Sequence, residues 1–201
     1  IRIRANGILP GGAARVDGSV TSQVVSSLLI AAPFARRNTM LELTGPLVSR
    51  PYVDITIDVL KKAGIAVKRD GDRVFRVRSG QTMRPRGDLV VHGDWSGAAF
   101  LLAAAALTES DVTVTDLVDD CQGDRRIVWI LREMVAKVER TCDRVRIRGP
   151  APLRGVDIDG SDIPDLVPIL AVLGCFASGT TRIRNVAHLA HKESNRLARP
   201  A

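Results

Sequence analysis

Aromatic side chains are almost missing from this chain: two Trp, one Tyr and four Phe among 201 residues. A core must therefore be assembled from Leu, Val, Ile and Ala, and the stacking platforms that single-stranded nucleic acid requires are lacking. Cysteine is scarce as well. Cys121, Cys142 and Cys175 are odd in number and form no CxxC, which argues against a disulfide framework or a zinc site and for a reducing, cytoplasmic compartment. The most apolar run, residues 98–107, falls well short of the ~20 residues needed to cross a bilayer, so no membrane partner is expected. No secretory leader opens the chain. Ile1 at the start and RLARPA at the end read as cut edges, and a fragment of a longer protein is expected.

What is present is a basic, aliphatic chain. It has 29 Lys and Arg against 22 Asp and Glu, a net charge of +7, with 45% hydrophobic residues. That suits one large or two small folded domains. A basic excess fits phosphorylated or carboxylated small molecules as well as nucleic acid, and the scattered placement of the arginines favours the small molecules.

A unit recurs. Asp17-Gly18-Ser19, His92-Gly93-Asp94 and Asp159-Gly160-Ser161 each precede a helical run of small and aliphatic residues (SQVVSSLLIAAPFA, SGAAFLLAAAAL, DLVPILAVLGCFA), and each run gives way to a β-branched strand (TMLEL, DVTVTDL, GTTRIRNV). The intervals between the glycines are too irregular for a solenoid but fit a duplicated supersecondary unit. After the first two strands comes an amphipathic helix, YVDITIDVLKKAG and then DRRIVWILREMVAKVER. In the second of these Ile127, Ile130, Leu131, Met134, Val135 and Val138 form a stripe at helical spacing. Strands VFRVRS and RVRIRG follow, and DLVVHGD reads as a further strand leading into the next turn. The first helices, apolar nearly all round, are expected to be buried between layers. One copy ends and the next begins near Gly93.

Chemistry is expected at the helix starts. Ser19, Thr21 and Ser22 crowd hydroxyls around a first turn whose backbone N–H groups lack partners, a ready anion site; a single hydroxyl would serve as an ordinary cap. In Ser49-Arg50-Pro51-Tyr52, Pro51 suits the first helical position, with Ser49 or Arg50 as cap, and Arg50 and Tyr52 are within reach of a phosphate or simply solvated. Asp162 and Asp165 stand three apart at the third helix start, where one can cap and the other act as a base. In AHKESNRLA (190–198), read as a helix, Lys192 and Arg196 share a face and repel by roughly 0.2–0.5 kcal/mol, while Glu193 points about 100° away. Such a face invites an anionic ligand. His188 and His191, three apart with no carboxylate in the frame, make a poor metal pair.

Taken together, DGSVTSQ (17–23), SRPYVDIT (49–56), GDWSGAAFLLAAAAL (93–107), DIPDLVPILAVLGCFASGTTRIRNV (162–186) and HKESNRLA (191–198) resemble the 5-enolpyruvylshikimate-3-phosphate synthase family, in the family's order along nearly the whole chain. The resemblance implies an α+β fold of repeated βαβαββ units around buried helices, an inside-out α/β barrel also called an α/β prism. Three such units make each of two domains. Residues 1–92 would be the later part of one domain and 93–201 the earlier part of the second. It implies transfer of the enolpyruvyl group of phosphoenolpyruvate to the 5-hydroxyl of shikimate 3-phosphate, on the route to chorismate and the aromatic amino acids, and the target of glyphosate.

Roles follow from the same resemblance. Thr21, Ser22 and Gln23 match the shikimate 3-phosphate segment, and Ser49 and Tyr52 match further contacts to that substrate. Asp165 matches the carboxylate that binds the shikimate hydroxyls and acts as base. Lys192 matches the lysine at the reacting centre, Glu193 its acid–base partner, and Arg196 an arginine clamping phosphoenolpyruvate. His188 stands where the family commonly has an amide contacting substrate. No metal or organic cofactor is implied, and the full-length protein is expected to be monomeric. Thr21 in place of Ser, Asn195 in place of Asp and Ala190 in place of Arg are departures. The family's N-terminal lysine, Gly-rich phosphoenolpyruvate loop and late Arg and Lys residues have no counterpart, so this polypeptide alone is expected to be inactive or nearly so. Two alternatives remain open: the sister enzyme acting on UDP-N-acetylglucosamine, which uses a loop cysteine, and a non-catalytic module of the same fold binding phosphorylated ligands or RNA.

Overall fold

In the computed structural model, which describes residues 2, 4 and 6–198, the chain divides into two units, 1–90 and 91–201. The first unit runs β1 (Gly12–Val16), α1 (Ser22–Ala31), a 3-10 turn, β2 (Thr39–Leu43), α2 (Arg50–Lys62), β3 (Val67–Asp70) and β4 (Val74–Val77). Its sheet has the order β1-β2-β4-β3, with β1 parallel to β2 and the other pairs antiparallel. Strict alternation sets the faces: Leu41 and Leu43 of β2 and Phe75 and Val77 of β4 turn inward onto Val25 and Leu29 of α1 and Val53 and Leu60 of α2. Pro51 sits in the first turn of α2 and Lys61 and Lys62 in its last, which suits both the missing proline N–H and the negative end of the helix dipole.

The second unit runs α3 (Trp95–Leu107), β5 (Ser110–Thr115), α4 (Ile127–Glu133), β6 (Val138–Arg140), β7 (Arg144–Gly149), β8 (Asp157–Asp159), α5 (Val167–Phe176) and β9 (Arg182–Arg184). β5-β7-β6 form an antiparallel sheet, and β8 and β9 a parallel pair. Asp94 caps α3, its carboxylate accepting from the Ser96 and Gly97 N–H groups at 3.0 and 2.7 Å. The core gathers the alanine-rich face of α3, the apolar face of α4, and Leu170 and Leu173 of α5.

Three expectations are corrected. The helix expected over 124–140 is a 3-10 turn (Gly123–Arg126) followed by α4, which ends at Glu133. Val135 takes a positive φ of 73°, the Ala136 N–H reaches back to the Leu131 carbonyl, and Val138 belongs to β6 opposite Ile147. The strand residue had fallen into phase with the helical stripe. The segment 88–94 forms no strand: the Gly93 N–H donates to the Asp116 carbonyl at 2.9 Å, but that single backbone bond is not continued into a ladder, and Val91 is 84% exposed. The most apolar helices are not enclosed all round either. α1 exposes Val24 and Ile30, α3 exposes Phe100 and Leu101, and α5 exposes Val172 and Phe176.

Candidate functional site

In the first unit, α1 begins at Thr21, whose extended backbone and hydroxyl cap the helix by accepting from the Gln23 N–H at 3.2 Å. Ser19 is otherwise engaged: its N–H and hydroxyl both donate to Asp17 Oδ1, at 2.9 and 2.6 Å. The hydroxyl bond first, then the backbone bond, holds the Asp17 carboxyl below the usual range. The cluster of three hydroxyls thus reduces to the cap and Ser22, which is buried, with Gln23 exposed beside them. No acid occupies the first turn of α1, so its free N–H groups keep their attraction for an anion.

The loop before α2 is knitted to this turn. The Thr44 N–H donates to Val16 and the Val48 N–H to Gly18. The crossing is so close that a Cβ on Gly45 would stand 2.8 Å from Asp17 Oδ1. The loop delivers Ser49 as first residue outside α2, and its side chain does not cap. Ser49 is left-handed (φ 53°), fully buried, and its hydroxyl has no hydrogen-bond partner. A non-glycine residue in that region costs roughly 1–3 kcal/mol, and an unpaired buried hydroxyl adds to the cost. Tyr52 follows, half-buried in the first turn. Arg50 is tied to Asp54 and Asp72, at 3.5 and 3.2 Å.

In the second unit the cluster 187–198 is not a regular α-helix. A 3-10 turn (Ala187–His191) ends at Lys192, whose backbone is extended, and turns follow. The expected repulsion between Lys192 and Arg196 across one helix face therefore does not arise. Arg196 forks instead between two carboxylates, Asp165 and Glu193, while its N–H donates to the Leu189 carbonyl at 3.2 Å. Asp165 does not cap α5, which begins with no side-chain cap. The hydrogen bond from Arg196 is the main cause holding the Glu193 carboxyl below its ordinary pKa. Lys192 is half-buried and makes no ion pair among the described residues. His188 is buried with Nε2 unpartnered. Burial, with Lys192 second and opposed by Asp162, lowers its pKa, so the ring favours the neutral form.

Asp124, not singled out from the sequence, is the buried acid of this unit, 2% exposed. Its Oδ2 accepts from the Ser96 hydroxyl at 2.6 Å and its Oδ1 has no partner. Burial pushes its pKa up to about 6; the Ser96 bond opposes this, the charges of Asp165 and Asp94 reinforce it, and Arg196 opposes it. An Asp after Gly at a helix start reads as a solvated cap, and no local signal reveals that α3 covers it.

The expected residues thus fall into two groups. Thr21, Ser22, Gln23, Ser49 and Tyr52 belong to the first unit, and Asp165, His188, Lys192, Glu193 and Arg196 to the second. The second group can hold and exchange a proton between carboxylates beside fixed cations. Among the described residues no three His, Cys, Asp or Glu side chains are placed to hold a metal ion, and no helix is long and apolar enough to cross a membrane.

Comparison with known proteins adds the following. The family model described as EPSP synthase (3-phosphoshikimate 1-carboxyvinyltransferase) matches residues 1–201. Among curated proteins, the 3-phosphoshikimate 1-carboxyvinyltransferase of Methanothrix thermoacetophila is 49% identical over 193 residues, covering 95% of this chain and 45% of that protein. The protein of the same name from Methanocaldococcus jannaschii is 42% identical, covering 96% and 44%. The chain spans just under half the length of these relatives. Among solved structures, EPSP synthase from Acinetobacter baumannii superposes with a TM-score of 0.74 at 26% identity, over 96% of this chain and 44% of that one. The enolpyruvyl transferase NikO from Streptomyces tendae, at 20% identity and a TM-score of 0.67 over 91% and 47%, shares the α+β fold.

Proposed function

The chain belongs to the EPSP synthase (3-phosphoshikimate 1-carboxyvinyltransferase) family, and from that membership we propose that it carries the central substrate and acid–base residues of a cytoplasmic enolpyruvyl transfer enzyme. Residues 1–92 are then the later part of one domain and 93–201 the earlier part of the other. The observation that carries the reading is the guanidinium of Arg196 held between Asp165 and Glu193, with Lys192 close by in sequence and uncommitted to any described acid.

The chemistry assigns each group a task. The 5-hydroxyl of shikimate 3-phosphate adds to C2 of phosphoenolpyruvate while C3 takes a proton, and the tetrahedral intermediate then loses phosphate and a proton to give the enolpyruvyl ether. Asp165 orients the hydroxyls and removes the proton from the attacking one. Lys192 and Glu193 deliver and recover the proton at C3, and Lys192 and Arg196 hold the carboxylate and phosphate of phosphoenolpyruvate. Arg196 then exchanges a protein carboxylate for that of the ligand. Thr21, Ser22 and Gln23, with Ser49 and Tyr52, take shikimate 3-phosphate, the hydroxyls and α1 N–H groups facing its phosphate. His188, neutral in its buried place, offers Nε2 to a substrate hydroxyl, where the family commonly places an amide.

Thermal unfolding of the chain with shikimate 3-phosphate, phosphoenolpyruvate or UDP-N-acetylglucosamine tests the assignment. Stabilisation by shikimate 3-phosphate, reduced in Thr21→Ala, and stabilisation by phosphoenolpyruvate, reduced in Lys192→Ala, are expected. Stabilisation by the nucleotide sugar alone refutes it. A steady-state assay is expected to give little or no turnover, since the chain covers under half the length of its relatives.

A further inference from the structure

The two units repeat the same three-stranded arrangement, so each is a control for the other. In the first, β2-β4-β3 pair with Leu41 opposite Phe75; in the second, β5-β7-β6 pair with Val114 opposite Val145. Aligned on these inward-facing pairs, Arg76 and Arg78 correspond to Arg146 and Arg148. In the second unit those arginines are neutralised. Asp111 accepts from Arg146, with Nε–Oδ1 at 2.6 Å, and from Arg148 at 3.3 Å, and Glu139, opposite Arg146 in β6, pairs with Arg148 at 3.6 Å. By the same register, Asn38 stands where Asp111 does, and Lys68, opposite Arg76 in β3, stands where Glu139 does.

Both acids are thus replaced in the first unit, one by an amide and the other by a cation. Lys68 and Arg76 face each other directly across strands, an arrangement that is destabilising without a counter-charge, and no described acid pairs with Lys68, Arg76 or Arg78. These side chains line a cavity of about 550 Å³ together with Met40 and Ala66. Its rim is fixed. The Gln81 side chain bonds both the N–H and the carbonyl of Ala66, at 2.8 and 3.1 Å, and Asn38 Oδ1 accepts from the Ser79 N–H at 3.0 Å. Thr39, which also lines the cavity, keeps a buried hydroxyl with no hydrogen-bond partner.

We propose that this cavity binds a small phosphorylated metabolite, its phosphate held by Lys68, Arg76 and Arg78 and its apolar body against Met40 and Ala66. The site lies wholly within the first unit and is separate from the residues assigned to enolpyruvyl transfer. The cations supply point-charge and forked donors, and the apolar wall selects an organic phosphate over the bare ion.

Amide NMR of the isotope-labelled chain, titrated with phenyl phosphate and with inorganic phosphate, tests it. Saturable shifts centred on Asn38, Lys68 and Gln81 are expected, with phenyl phosphate bound more tightly. The double substitution Asn38→Asp and Lys68→Glu transplants the second unit's acids and should weaken binding by at least about tenfold. Aspartate at position 38 keeps the acceptor for Ser79, and unchanged shifts in the second unit report that the variant is folded. Equal affinity for the two probes, shifts confined to residues near Lys192 and Arg196, or affinity untouched by the double variant each overturns the proposal.

Discussion

Asp124→Asn gives a quantitative test of the buried acid beneath the start of α3. The folded chain lifts this carboxyl from 3.8 to about 6. At ~1.36 kcal/mol per pH unit, a lift of roughly two units corresponds to about 3 kcal/mol of destabilisation at neutral pH, taken as an upper value. The sign is fixed by proton counting. Between about pH 4 and pH 6 the native state holds a proton that the unfolded state has released, so this group's contribution falls as pH rises through that window and is level above it. Asparagine keeps an oxygen for the Ser96 hydroxyl and never ionises. The variant should therefore match the parent near pH 4 and exceed it by up to about 3 kcal/mol at pH 7. Asp17, Asp111, Asp159 and Glu193, whose pKa values are lowered, contribute the opposite slope, but equally to both proteins, so the difference isolates Asp124. Urea unfolding at several pH values, followed by the fluorescence of buried Trp95 in the same unit, measures it. A difference that does not change with pH, or a variant less stable than the parent at pH 7, would refute the reasoning.

Other substitutions probe other parts of the chain. Ser49→Ala removes a buried hydroxyl without a partner and should leave stability level or raise it by up to about 1 kcal/mol, while reducing stabilisation by shikimate 3-phosphate; a marked fall in urea midpoint would contradict this. Arg196→Ala takes the hydrogen-bond donor from Glu193 and Asp165. The Glu193 carboxyl should titrate at higher pH by carboxyl NMR, and the urea midpoint should fall only slightly, as for a surface ion pair. Gly149→Ala would place a Cβ 1.9 Å from the Ala105 carbonyl oxygen and 2.5 Å from that of Thr108; neither is a flexible side-chain end, and a loss of about 3 kcal/mol in urea unfolding is expected.

Much of this was legible in the sequence where local pattern and tertiary role coincide. TMLEL alternates and is β2 from Thr39 to Leu43; the glycine-marked turns do precede α1, α3 and α5. Legibility failed where two patterns shared a phase, as when Val138 of β6 extended the stripe of α4. It failed again where spacing was read through an assumed helix. Lys192 and Arg196 are four apart, yet the chain between them is extended and turned, so Arg196 meets carboxylates instead of Lys192. The left-handed backbone of Ser49 is invisible because serine carries no preference for that conformation; the loop tied to Gly18 imposes it. Asp124 is invisible because its burial is decided by α3, 28 residues from Ser96 in sequence. The catalytic assignments came from the resemblance. The uncompensated cations beside β4 could be read only once the register had paired Arg76 with Lys68.

The water-facing strips on α1, α3 and α5 have a practical consequence. Three helices whose flanks suit a protein interior are left wetted at Val24 and Ile30, Phe100 and Leu101, and Val172 and Phe176, and such patches are adhesive. The isolated polypeptide should form reversible clusters as it is concentrated, more readily in ammonium sulfate and less so in dilute urea. Light scattering across a dilution series would register them. The seven surplus positive charges would then keep the chain dispersed at low ionic strength and do so less well as salt is added.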